Sequence, residues 1–133
     1  MKHLTLAVVG AEFPNKRGPT RRFAIELLRP GDPVQLIPEP KNPKDPRAIA
    51  VFDASGVQMG YLTAERAPLI GNSLRVGREI QAVFQGRAPF GCYIRVAFDG
   101  AAIDLPDVTQ PESKAGGDTV VIRGEFDQRE YDD

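Results

Sequence analysis

Short apolar blocks separated by clusters of Gly, Pro, Asn and Asp run along the chain, a rhythm that predicts strands more often than helices. LTLAVV at residues 4–9 is rich in β-formers and closes at Gly10, which predicts a buried first strand. Further apolar or alternating runs predict strands at residues 34–37, 48–52, 58–62, 79–84 and 93–98. The third and fourth are joined by DASG, a hairpin-type turn. Two stretches have helical spacing instead. Thr20 is placed to cap a short helix over 21–28, with Phe23 and Leu27 one turn apart on one face and Ala24 and Leu28 beside them. Ala67, Ile70 and Leu74 predict a second helix, with Pro68 tolerable only near its first turn and Gly77 ending it.

The intervening segments read as loops: PNKRGPT at 14–20, QGRAPFG at 85–91, and DVTQPESKAGGDT after a short edge predicted within AAIDLPD at 101–107. Residues 119–122 are a candidate last strand, and EFDQREYDD is an acidic, polar tail. About six short strands with two short helices predict a mainly β protein, a small, partly open antiparallel β-barrel of the OB or SH3-like kind. A doubly wound parallel sheet needs helices between most strands, and only two are available. The expected division is a barrel domain over 1–105 and a loop, last strand and tail over 106–133.

Composition changes this picture little. The chain has 133 residues, 41% hydrophobic and 26% charged, with a formal net charge of −1, the profile of an ordinary globular domain, so charge names no partner. Cys92 is the only cysteine and His3 the only histidine, which excludes an internal disulfide and argues against a structural metal. The lone cysteine suits a reducing compartment, no run approaches the ~20 apolar residues of a membrane span, and the short apolar N-terminus reads as a strand rather than a signal peptide. The expected location is cytoplasmic.

Candidate chemistry is narrow. Asp107 with Glu112 and Lys114 spells PD…ExK, a nuclease-like pattern, but the residues stand too close together in a Pro, Gly, Ser and Thr loop to come from neighbouring strands. Paired glycines match neither the P-loop nor the dinucleotide fingerprint, so no cofactor is expected. His3 is the one histidine and falls at an expected frayed end, which leaves nucleophilic catalysis without a base. There remain a basic segment over 14–29, with Lys16, Arg17, Arg21, Arg22 and Arg29 against Glu26 alone, and aromatics at strand ends or loops: Phe13, Tyr61, Phe90 and Tyr93. Cations can follow a phosphate backbone, and aromatics can stack unpaired bases.

NPKDPRAIA followed by VFDASGVQMGYL closely resembles the core signature of the HIRAN domain, E-P-x-N-P-x-D-x-x-A-I-x-V, then a turn and G-Y-L. The matching residues are Glu39, Pro40, Asn42, Pro43, Asp45, Ala48, Ile49, Val51, Gly60, Tyr61 and Leu62. VVGAEFPNKRGPTRR and APFG resemble other parts of the family, so the likeness covers about residues 6–98. It implies an OB-related barrel, non-enzymatic, that binds DNA, single-stranded or at its 3′ end, and is often joined to helicase-like ATPases or nucleases. In a chain too short for a motor, the resemblance implies a free-standing version or a fragment. By the resemblance, Asp45 would accept a hydrogen bond from the terminal hydroxyl, and Phe90 and Tyr61 would flank the terminal bases or sugar. Asn42 would orient the loop or contact the end, Phe13 lies near the first-loop aromatic, and Arg21, Arg22 and Lys44 would lie near phosphates. Where the fork-remodelling members carry an aromatic before the aspartate, this chain has Lys44, which can pair with phosphate but stacks poorly.

The same residues admit an architectural reading. Asn42 and Asp45 each precede a proline and can bond backbone N–H groups two residues on, and Glu39 can anchor the loop through an arginine such as Arg47. A barrel docking on a helicase or nuclease partner is the competing function.

Overall fold

The computed structural model describes residues 2–105; the strand expected at 119–122, the PD…ExK residues and the acidic tail lie outside them. Six strands and two helices follow one another as β1 (His3–Val9), α1 (Arg21–Leu27), β2 (Val34–Pro38), β3 (Ile49–Asp53), β4 (Gln58–Leu62), α2 (Ala67–Arg75), β5 (Ile80–Ala88) and β6 (Gly91–Phe98). All pairings within the single sheet are antiparallel, in the order β2-β3-β4-β1-β6-β5. The two outer strands then approach each other. Pro33 bridges Val83, and Gly31 and Phe84 exchange backbone bonds with the opposite segment at Phe84 and Asp32. The sheet therefore curls into the partly open barrel that the pattern of short strands predicts.

Alternation supplies the core. Leu6 and Val8 of β1, Ile49 and Val51 of β3, Met59 of β4, Phe84 of β5 and Ile94, Val96 and Phe98 of β6 are fully buried, and Ile70 of α2 closes one side. Thr20 caps α1 through Oγ, 3.0 Å from Phe23 N. At the other end of α2, Arg78 N reaches Ser73 O at 2.9 Å and Gly77 N reaches Leu74 O at 3.1 Å, a Schellman closure with Gly77 at φ +83°. Asp53 Oδ1 gathers Ser55 N, Ser55 Oγ and Val57 N, which holds the DASG hairpin.

Four expectations change. The inward stripe of α1 is Arg21, Ala24, Ile25 and the partly buried Leu28, while Phe23 and Leu27 are exposed. A charged residue occupies the first inward position, and of the residues that carry the helical spacing only Ala24 and Leu28 face the core. QGRAPFG is mostly strand, since β5 continues through a bulge at Phe84/Gly86 to Ala88, and only Pro89 and Phe90 form the turn. Residues 101–105 form no strand; side chains hold them, with His3 Nε2 2.7 Å from Ala102 O and Arg95 Nε donating to Asp104 O at 3.0 Å. His3 itself is no frayed end, because it begins β1 and pairs with Ala97.

Cys92 is wholly inside this core, and burial pushes its thiol up to about 12. The unfolded thiol ionises near its ordinary value of about 8.5, so above that pH only the unfolded state releases the proton. Stability is present below about pH 8.5 and falls as pH rises towards 12, with a slope of up to about 1.4 kcal/mol per pH unit from this group. Urea unfolding between about pH 8 and about pH 10 should show a shallower decline in Cys92→Ala than in the wild type, and thiol reagents should label Cys92 only after unfolding. Parallel slopes would place the alkaline sensitivity elsewhere.

Candidate nucleic-acid interface

The register brings the motif loops to one end of the barrel. Tyr61 faces both Val9 and Ala50, and Val8 faces both Leu62 and Cys92, so the β1–α1 loop, the β2–β3 loop and the β5–β6 turn emerge together. Two glycines permit this closeness. A Cβ on Gly60 would stand 2.3 Å from Val9 O, and one on Gly91 would stand 2.3 Å from Val8 O, so β4 and β6 press on the end of β1.

The β2–β3 loop is braced by its own motif. Glu39 Oε1 accepts from Asn42 Nδ2 at 3.0 Å and from Tyr61 Oη at 2.9 Å. Asn42 Oδ1 accepts from Lys44 N and Asp45 N at 2.9 and 3.2 Å, and Asp45 Oδ1 accepts from Arg47 N at 2.9 Å. This is a relay of turns in which each acidic or amide side chain fixes the backbone just ahead of it. Glu39 thus anchors through Asn42 and Tyr61, and no bond joins it to Arg47. The carboxamide of Asn42 orients the loop. Asp45 is half-buried, and its Oδ2 has no partner among the described residues, while the Lys44 side chain is exposed.

The β1–α1 loop is braced by Asn15 and Arg21. Arg21 is only 8% exposed; its Nε donates to Asn15 Oδ1 and its Nη1 to Gly10 O, both at 2.9 Å, and its guanidinium lies 5.6 Å from the Tyr61 ring centre. Asn15 Nδ2 in turn reaches Pro19 O and Gln58 O at 3.1 Å. Arg21, expected near phosphates, is therefore a keystone between loop and sheet, because Gly10 O and Asn15 supply acceptors that let its charge be buried. Asn15 was not singled out from sequence, and only its place in a Pro/Gly-rich loop signals a turn-holding role. Arg22, by contrast, is exposed and donates to Pro89 O at 3.1 Å, linking α1 to the β5–β6 turn.

Phe90 at that turn is half-buried and packs edge-on against Tyr93, with ring centres 5.4 Å apart. Phe13 is 60% exposed, an unusual placement for a large aromatic. Lys16 and Arg17 are exposed on the loop that follows it.

The β2–β3 loop stands between two grooves. One, of about 720 Å³, lies against α2 and is lined by Pro46, Arg47, Ile49 and Leu74. The other, of about 850 Å³, lies towards the β1–α1 loop, with Phe52 and Tyr61 among its lining residues. No cluster of His, Cys, Asp or Glu suited to a metal ion occurs among the described residues, and no described helix is long and apolar enough to cross a membrane.

A partly closed antiparallel barrel with polar and aromatic residues displayed on braced loops at one end defines a small OB-like β module. The sequence matches the HIRAN domain model over residues 4–96, and the chain belongs to the HIRAN domain family. Its fold is similar to that of the HIRAN domain of human HLTF, at 24% identity and a TM-score of 0.59, covering 73% of this chain and 74% of that one. It is also similar to a structural-genomics protein from Lactobacillus plantarum, at 18% identity and a TM-score of 0.60, covering 74% of this chain and 93% of the other. Comparison with curated proteins gives no significant match.

Proposed function

We propose that the protein is a non-catalytic module that captures single-stranded DNA by its 3′ end, the activity implied by its likeness to the fork-remodelling members of the HIRAN family. The observation that carries this reading is Asp45. One carboxylate oxygen is committed to the turn, which fixes the group in place, and the other has no partner among the described residues. An ionised carboxylate only accepts hydrogen bonds, which matches a terminal hydroxyl and repels a terminal phosphate. Phe90 and Phe13 offer rings to the last bases, and Lys44 offers a charge to a phosphate instead of a stacking surface.

Fluorescence anisotropy with 5′-labelled single strands ending in a 3′ hydroxyl or a 3′ phosphate tests the reading. The hydroxyl-ended strand should bind about tenfold tighter or more. Asp45→Asn should erase the difference while keeping the loop, since the amide oxygen can still accept from Arg47 N but the second position becomes a donor. Equal wild-type affinity for both ends would overturn end recognition, and no binding at low salt would overturn DNA binding altogether.

A further inference from the structure

We infer that the groove between the β1–α1 and β2–β3 loops is a second subsite, for the nucleotides just upstream of the terminal one; this rests on the reading of the chain as a single-stranded DNA module. Its walls carry Lys16 and Arg17 on one side and Lys41 on the other. All three are exposed and make no hydrogen bond or ion pair with any described residue, whereas Arg21, Arg22, Arg78 and Arg95 each donate to a protein oxygen. Uncommitted cations facing each other across a groove are suited to a chain of phosphates, whose binding releases counterions.

The floor supplies the other half of the chemistry. Phe52 and Tyr61 are half-buried and line the groove from adjacent strands, on the face turned away from Val51, Met59 and Leu62. Tyr61 is held by Glu39 at its hydroxyl and approached by the Arg21 guanidinium at its ring, so one aromatic of the platform is fixed before any ligand arrives. Aromatic side chains of this kind stack bases with little regard to sequence. Glu39 is the one carboxylate among the described lining residues, and its Oε1 is already bridged by Tyr61 and Asn42. Both walls are tied to the barrel, one by Asn15 to Gln58 O and the other by Glu39 to Tyr61, which reduces the ordering cost of binding. Asn42 and Pro43 line the groove, and Lys44 and Asp45 follow directly, so a strand leaving the groove along this loop arrives at the proposed end site.

The test measures binding of the full chain to 5′-fluorescein oligothymidylates, all with a 3′ hydroxyl, from two to about eight nucleotides long, as a function of salt. The wild type should gain affinity with length, and the exposed-residue variant Lys16→Ala/Arg17→Ala/Lys41→Ala should lose that gain. The log–log salt slope for the longest strand should fall by roughly 2, the expectation for about three lost phosphate contacts on single strands. Phe52→Ala should weaken the longest strand roughly tenfold and leave the dinucleotide unchanged. A wild type that binds the dinucleotide as tightly as the longest strand would overturn the subsite, as would a triple variant with an unchanged slope. In either case preference for the 3′ hydroxyl would still stand, whereas failure of every strand to bind at low salt removes the end-binding reading as well.

Discussion

Replacing Gly60 by alanine is expected to lower the unfolding free energy by about 3–5 kcal/mol, a large part of what a small domain possesses. The new Cβ would lie 2.3 Å from Val9 O and 3.1 Å from Val8 Cγ1. Both belong to β1, which is hydrogen-bonded to β4 on one side and β6 on the other and has little freedom to retreat. The backbone at Gly60 adds strain, with φ at +153°. Thermal or urea unfolding of a glycine series checks the cause. Gly91→Ala, with a 2.3 Å approach to Val8 O and φ +155°, should resemble Gly60→Ala. Gly18→Ala, at φ +80° with nothing within 4 Å, should cost about 1–2 kcal/mol from backbone strain alone. Gly86→Ala, with neither an unusual φ nor a neighbour, should be nearly neutral. If Gly60→Ala proved no worse than Gly86→Ala, the tight seam between β1 and β4 would not exist in solution.

Arg21→Met should cost roughly 3 kcal/mol or more, although methionine preserves much of the apolar stem. The substitution strips Asn15 Oδ1 and Gly10 O of their 2.9 Å donors and removes the guanidinium beside Tyr61. Asn15 Oδ1, half-buried, would be left without a donor and Gly10 O with only the 3.2 Å bond from Phe13 N, so the loss includes part of their desolvation penalty as well as the bonds themselves. For a domain of this size the melting temperature should fall by about 12 °C or more. Arg21→Lys should rescue only part, since an ammonium cannot reproduce the fork that reaches two acceptors at once. A surface role would give a different result: a near-unchanged melting temperature and a lower salt slope for DNA.

These two residues mark the limits of what the pattern along the chain conveys. Strands with a clear apolar run, such as LTLAVV and QMGYL, and turns with strong chemistry, such as DASG, were legible because local propensity and burial agree there. The face of α1 was not, because two overlapping stripes satisfy helical spacing and the one containing Arg21 scores as polar. The hairpin at Pro89 and Phe90 was hidden by Gly86 and Pro89, which resemble loop residues until the bulge and the two-residue turn are seen. In the candidate site, Asn42 and Asp45 were legible as turn-formers from the prolines that follow them. That Glu39 binds Tyr61, twenty-two positions away, was not, since nothing local encodes a pairing between loop and strand.

By itself, the order of residues carried the family through its E-P-x-N-P-x-D signature, and it determined the mainly β class and the stiff, polar character of the β2–β3 loop, because the last two follow from composition, period and short-range hydrogen bonding. Only the tertiary structure decided which cations are free and which are committed. Arg21 and Lys16 are equally charged in sequence, but the end of β1 and the carbonyl of Gly10 surround the first, while the second stands in open solvent on the wall of a groove. A charge is buried only where distant backbone supplies its acceptors, and where those acceptors lie depends on how the barrel closes.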